Sequence, residues 1–361
     1  MSNYDKWDKE FKAQNLYVFN HDKNALLWLK VRSVCRSKQI RQFLDDNGLS
    51  LSATKLSDQN VELFERLEKM PDAMSRLDRF LREKNHEWYH SMHIDENLLK
   101  EDLYKVRYYD WGGDQNNSLD KYLVKRYVKE ISCYEELASK QTEIADNAWR
   151  YVQTSWYNNW TSYLIESLFK RHEKVISAVG EIKSVDFFIG DYPIDLKVTF
   201  FPNQYMDEKL KIKLGRRELT WIKQKAKEVG ITVDNGQTES QQIYTLSEKL
   251  AEKSPDVLEN LNAKRKEVVV EAQANPQELM TWLYENQGEM RFGAENRLFL
   301  ILVDATNMEQ SWKMKRAFLS IEPKVNNYLS NFCDNSLKEI TFMFKGQPYK
   351  TLADALFIVK E

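Results

Sequence analysis

The sequence predicts an α+β fold: a helical N-terminal domain, then a mixed sheet interrupted by a helical insertion. Three observations predict it. From Lys23 to about His172, apolar residues recur at three- and four-residue spacing, the signature of amphipathic helices. Between Lys174 and Phe200 the pattern changes to short runs rich in β-branched and aromatic residues, separated by Gly180 and by Gly190-Asp191-Tyr192-Pro193. Arg297 to Asp304 is a continuous apolar run, as a strand buried on both faces requires.

In the helical part, Leu26, Leu27, Leu29, Val34, Ile40 and Phe43 lie on helices that stop at Asp45-Asp46-Asn47-Gly48. Ser57-Asp58 starts a helix carrying Val61, Leu63, Phe64 and Leu67, and Pro71-Asp72 opens the next. Tyr108 to Asp114 breaks the periodicity and reads as a loop. A long helix or helix pair then runs from about Glu135 to His172. Val175 to Val179, Ser184 to Ile189 and Ile194 to Phe200 follow as three strands, and residues 207 to 287 return to helix. After the central strand come a helix over 308–330 and a strand at Ile340 to Phe344, while Leu352 to Val359 fits helix and strand equally. The expected division is a helical domain over 1–133 and a second domain over 134–361, with its insertion at about 205–290.

Hydrophobic residues at 42% and charged residues at 30% are globular composition. No apolar run is long enough to span a bilayer, and the first twenty residues lack a signal-peptide core, so a soluble cytoplasmic protein without membrane contact is expected. Cys35, Cys133 and Cys333 are odd in number and far apart, which argues against a disulfide framework or thiolate metal site and for buried fillers. A net charge of −2 favours no class of partner, but two clusters are basic. Lys30, Arg32, Arg36, Lys38 and Arg41 form one. The other, Asp207 to Glu228, sets eight basic residues against four acids. Its members Lys209, Lys211, Lys213, Arg216 and Arg217, with Arg291 and Asn296 farther on, are candidate nucleic-acid contacts; solvated helix faces, capping and strand starts are the competing readings.

The chemistry concentrates in the strand region. In Pro193-Ile194-Asp195-Leu196-Lys197-Val198-Thr199, strand alternation points Asp195 and Lys197 one way and the apolar residues the other. If Gly190-Asp191 turns a hairpin, Asp186 lies on the neighbouring strand, where two carboxylates can share one hard cation. Facing acids in an apolar sheet otherwise repel and resist burial.

Asp186, an eight-residue gap and Asp195-Leu196-Lys197 in an apolar strand resemble the active-site signature of the PD-(D/E)XK, or restriction-endonuclease-like, nuclease superfamily. The order helix, three strands, helices, strand is similar to that family's αβββαβ core, and Glu166 matches the acid many members carry on the preceding helix. Val185 stands where the motif's name has Pro. The resemblance implies a hydrolase that cleaves DNA phosphodiester bonds, as in type II restriction or phage defence. Asp186, Asp195, the Leu196 carbonyl and Glu166 would hold Mg²⁺, with Mn²⁺ as substitute. Lys197 would serve the attacking water and the transition state. A duplex cutter implies a homodimer, and the slightly negative charge leaves room for a regulatory partner. Glu181-Ile182-Lys183 offers a rival acid-x-Lys, set aside because it follows Gly180 at a turn.

Two other readings remain. His86-Glu87-Trp88-Tyr89-His90 matches the H-E-x-x-H pattern of zinc peptidases, with His93 nearby, but no strand-rich half-domain precedes it. A non-catalytic DNA-binding or scaffold protein with a decayed nuclease fold is the other, against which the intact acids and lysine argue. Trp156-Tyr157-Asn158-Asn159-Trp160 is read as a packing seam, with base stacking as the minor alternative.

Overall fold

The computed structural model describes residues 2–34, 36–109, 118–178, 185–232, 239–286 and 295–361. Helix α1 (Asn3–Lys12) opens on a capping box in which the Ser2 hydroxyl accepts from the Asp5 amide and the Asp5 carboxylate from that of Ser2. Asp22 caps α2 (Lys23–Ser33) by accepting from two amides of its first turn. Helix α3 (Ser37–Asn47) ends at Gly48, whose φ of 61° is the left-handed cap the sequence called for. Then come α4 (Leu56–Leu67), α5 (Ala73–Ser91) and α6 (Glu96–Leu103). Short α7 (Leu119–Leu123) runs into a π-helical turn at Val124–Val128, and α8 (Tyr134–Ser139) precedes the long α9 (Gln141–Lys170).

The N-terminal helices do not close a core by themselves. Helix α2 is buried along both faces from Ala25 to Val31, and its cluster with Phe43, Phe64 and Phe80 includes Ile176, Val185 and Phe188 from the sheet region. Lys30 is 1% exposed and bonds Asp78 at 2.6 Å, so it does not face phosphates as its basic cluster had suggested. A lysine stays charged inside such a cluster only when an acid meets it. Cys133 and Cys333 are exposed, against the expectation of buried fillers, and Cys35 lies outside the described residues.

Strands β1 (Val175–Ser177), β2 (Phe187–Ile189), β3 (Tyr192–Phe200), β4 (Arg297–Asp304), β5 (Lys338–Phe344) and β6 (Gln347–Lys360) form one sheet in the order β1-β2-β3-β4-β6-β5. The first three are antiparallel, β4 lies parallel to β3 and β6, and β5 closes the edge antiparallel to β6. Gly190 turns the β2–β3 hairpin with φ 58°. The stretch that suited helix and strand equally is β6. Its register, Leu298 with Asp354 and Leu300 with Leu356, satisfies backbone groups that β4 would otherwise leave buried and unpaired. The helix expected over 308–330 is instead a 3₁₀ stretch, Met308–Arg316, followed by a separate α-helix over Phe318–Asn331.

Between β3 and β4 lie α10 (Asn203–Leu214), α11 (Glu218–Glu228), α12 (Glu239–Lys253), α13 (Pro255–Ala274) and α14 (Pro276–Asn286), with α15 (Phe318–Asn331) after β4. One sheet face is covered by α9, α15 and α6 around Leu196, Leu298, Leu300 and Ile358. Tyr157 is buried there, with Trp156 and Trp160 packed alongside, so the aromatic belt is a seam. The opposite face has two covers. N-terminal helices lie over β1 and β2, whereas the insertion helices α10 to α14 lie over Phe299, Ile301, Ala353 and Phe357. Asp195 and Lys197 emerge on that second face, where the two covers meet.

Candidate metal-dependent hydrolytic site

The β2–β3 ladder ends where Phe187 pairs with Ile194, and the Asp186 amide donates to that same Ile194 carbonyl at 2.8 Å, a bulge that leaves Asp186 just beyond the ladder. There its carboxylate lies close enough to Asp195 to feel its charge. The Leu196 amide donates to Asp186 Oδ2 at 2.8 Å. A strand residue turns its N–H and C=O to the same neighbour, so the Leu196 carbonyl also faces the Asp186 side. Lys197 Nζ bonds Asp195 Oδ1 at 2.9 Å.

Asp195 is 4% exposed, and β3 is an interior strand, so these are not solvated acids on an edge hairpin. The buried Oδ2 of Asp195 accepts no hydrogen bond from the described residues; Arg297 Nε lies 3.4 Å away. Burial, then the charges of Asp195 and of Glu166, push the Asp186 carboxyl up to about 6, against weaker opposition from the Leu196 amide and Lys170. Two acids thus crowd a low-dielectric pocket with less positive charge than they need. Divalent cations relieve such crowding.

Glu166 is near enough to act on Asp186, yet its Oε2 bonds Lys170 Nζ at 2.8 Å, one helical turn along α9. Among the described residues no three His, Cys, Asp or Glu side chains are grouped as a metal-ligand set. The donors that fit a hard cation are therefore Asp186 and Asp195 with the Leu196 carbonyl; Glu166 would have to release Lys170 to join them.

Sequence reasoning missed the support beneath these acids. Arg297 stands in register with Asp195 across β3 and β4, is 2% exposed, and has Glu295 Oε2 3.4 Å from its Nη2. Its guanidinium lies 4.7 Å from the centre of the Tyr284 ring, whose hydroxyl donates to the Glu295 carbonyl at 2.8 Å. A charged residue starting an otherwise apolar central strand was the available signal. Asn296 is no strand-surface contact: its amide donates to the Pro193 carbonyl and its Oδ1 accepts from the Leu352 amide, tying β3 to β6.

No protein-family model, curated protein or solved structure matches this chain.

The remaining candidates are spread out. Lys209 pairs with Glu278, Lys213 with Glu267 and Glu271, Arg217 with Asp207 and Glu239, and Arg216 bonds Gln224. The basic run is thus partly neutralised within the insertion; Lys211 is exposed beside a separate cavity. Arg291 and Glu181-Ile182-Lys183 lie outside the described residues. On α5, His86 Nε2 and His90 Nε2 are 3.3 Å apart, but Glu87 turns to Lys84, bonding it at 2.8 Å.

Proposed function

We propose that this chain is a Mg²⁺-dependent endonuclease of the PD-(D/E)XK type that hydrolyses DNA phosphodiester bonds. The observation that carries the reading is the approach of Asp186 to Asp195 at the end of the β2–β3 hairpin, with the Leu196 amide bonded to Asp186, Lys197 bonded to Asp195, and Asp195 buried. Asp186, Asp195 and the Leu196 carbonyl would hold the ion, and Glu166 is the reserve ligand. Bound there, a divalent cation supplies a water of lowered pKa and neutralises charge on the scissile phosphate.

The chain's own groups do the rest. Lys197, 30% exposed at its side chain, places a positive charge between Asp195 and solvent, where a phosphate oxygen gaining charge in the transition state meets it. Arg297 and Glu295 hold Asp195 from beneath, and the Leu196 amide fixes the Asp186 carboxylate. Substrate reaches this chemistry from the face where the two helical covers meet. A duplex substrate has two strands, so double-strand cleavage calls for two such sites and a homodimer. Restriction or phage defence, under the control of a partner, is the biological setting that goes with it.

Incubating the purified chain with plasmid, linear duplex and single-stranded DNA in Mg²⁺ and in chelator tests the proposal. Mg²⁺-dependent cleavage of duplex DNA that disappears in Asp195→Ala is the expected result. Cleavage that persists in Asp195→Ala would place the chemistry elsewhere. The zinc-peptidase alternative draws less support, because Glu87, the group that would activate water, is held by Lys84. In a zinc peptidase, stoichiometric zinc would survive dialysis.

A further inference from the structure

A second cavity, of about 570 Å³, lies behind the acid pair, between α5, the C-terminal end of α9 and β1. Its volume is within the range of about 300–1,000 Å³ typical of small-ligand sites. The lining is cationic: Arg82, Lys170 and Arg171 are joined by the imidazoles of His86, His90 and His172, with Glu96 as the acid. Glu96 is engaged by Arg171, whose Nη1 donates to it at 3.0 Å. Lys170 pairs with Glu166.

Arg82 differs. Its Nη1 donates to the Val175 carbonyl at 2.9 Å, and among the described residues no carboxylate pairs with it, so its full charge remains at the cavity wall. Ser177, which also lines the cavity, is 3% exposed and its hydroxyl has no hydrogen-bond partner among the described residues. A buried hydroxyl without a partner is costly, and an anion's oxygen would satisfy it. His86 Nε2 and His90 Nε2 share a hydrogen bond of 3.3 Å at the cavity wall, and an anion that breaks it would take their N–H groups as donors.

The cavity adjoins the acid centre through two non-covalent paths. Ser177 pairs with Phe187 in the sheet, and the next amide, that of Ala178, donates to the Asp186 carbonyl at 3.3 Å. Lys170 lines the cavity and bonds Glu166, whose charge acts on Asp186. We infer that this cavity binds a phosphate group of the polynucleotide strand whose cleavage is proposed for the Asp186–Asp195 centre, through Arg82, Ser177 and the His86–His90 pair. The inference rests on that nuclease reading for its ligand. It adds a specific anchor on the side of the acid centre away from the insertion.

Binding is measured by fluorescence anisotropy on a short duplex labelled at a 3′ end, in chelator, so that neither metal nor cleavage enters the readout. Arg82→Gln and the double variant His86→Gln/His90→Gln each weaken binding about 10-fold or more, the loss of a charge-assisted contact. Arg82→Lys recovers part of it, and inorganic phosphate competes with the wild type. Because His86 and His90 are exposed, their variant tests the pocket even if Arg82→Gln disturbs β1. A 5′-phosphate that strengthens binding identifies a terminal monophosphate as the ligand; equal binding without it identifies an internal phosphodiester. Affinity within twofold of wild type in both variants overturns the inference. Asp195→Asn separates the two proposals: it binds like wild type. A wild type that binds through the pocket yet never cleaves would sink the nuclease reading and leave the phosphate site standing.

Discussion

Two short acidic patterns in this chain have opposite fates. His86-Glu87-x-x-His90 on α5 is the more conspicuous in the sequence, yet its glutamate is solvent-facing and held by Lys84, three residues away on its own helix. Asp186 and Asp195 are inconspicuous, yet the fold brings them together, buries Asp195 at 4% exposure and leaves one of its oxygens without a hydrogen bond among the described residues. The difference lies in what each carboxylate costs the fold. An exposed helix surface stabilises a carboxylate at little cost, with water and a nearby lysine. The sheet interior does not, and it carries the pair only with Arg297, Lys197 and the Leu196 amide around it. Unfavourable electrostatics held in place by a framework mark a functional site better than a motif match does.

Five substitutions sharpen or break that contrast. Asp195→Ala should reduce Mg²⁺-dependent cleavage by about 10³-fold or more, read on plasmid, because a proposed metal ligand is lost. Glu87→Gln, by comparison, should cleave within about twofold of wild type; a matching collapse would shift the centre to α5. Lys197→Met should cost roughly 10²–10³ in single-turnover cleavage while leaving duplex affinity near wild type, as expected for a charge used in the transition state. A parallel loss of binding would make it a docking residue.

The next two effects are on stability. Arg297→Met strands the buried carboxylates Asp195 and Glu295, and chemical denaturation should show a loss of about 3–5 kcal/mol. Asp186 gives the smallest effect. Its folded-state pKa, about 6, exceeds its ordinary 3.8, so the native state holds that proton more tightly and stability falls as pH rises from about 4 through 6. Asp186→Asn should therefore stabilise the metal-free protein at pH 8 by about 1–3 kcal/mol, with no gain at pH 3. Adding Mg²⁺ should raise the melting temperature of the wild type more than that of Asp186→Asn. Equal responses would mean that Asp186 does not meet the ion.

How much of this was legible beforehand follows from the range of the forces involved. Helix α3's stop at Gly48, the central strand Arg297–Asp304 and the shared face of Asp195 and Lys197 could all be read directly, because each depends on local geometry: a left-handed cap, a run of apolar side chains, a period of two. Tertiary contacts decided the rest. β6 is a strand because β4 needed a partner, and Lys30 is buried because Asp78 reaches it from α5. Lys209 and Lys213 on α10 are neutralised because Glu267, Glu271 and Glu278, about 55 to 70 residues later, fold back onto them. Likewise, the α+β order and the Asp186, Asp195 and Lys197 trio belong to the sequence alone, since hairpin spacing and side-chain alternation determine them. The placement of Arg297 beneath Asp195, and the turning of Glu166 toward Lys170, depend on which charges the folded chain brings within a few ångströms, and local sequence does not encode that distance.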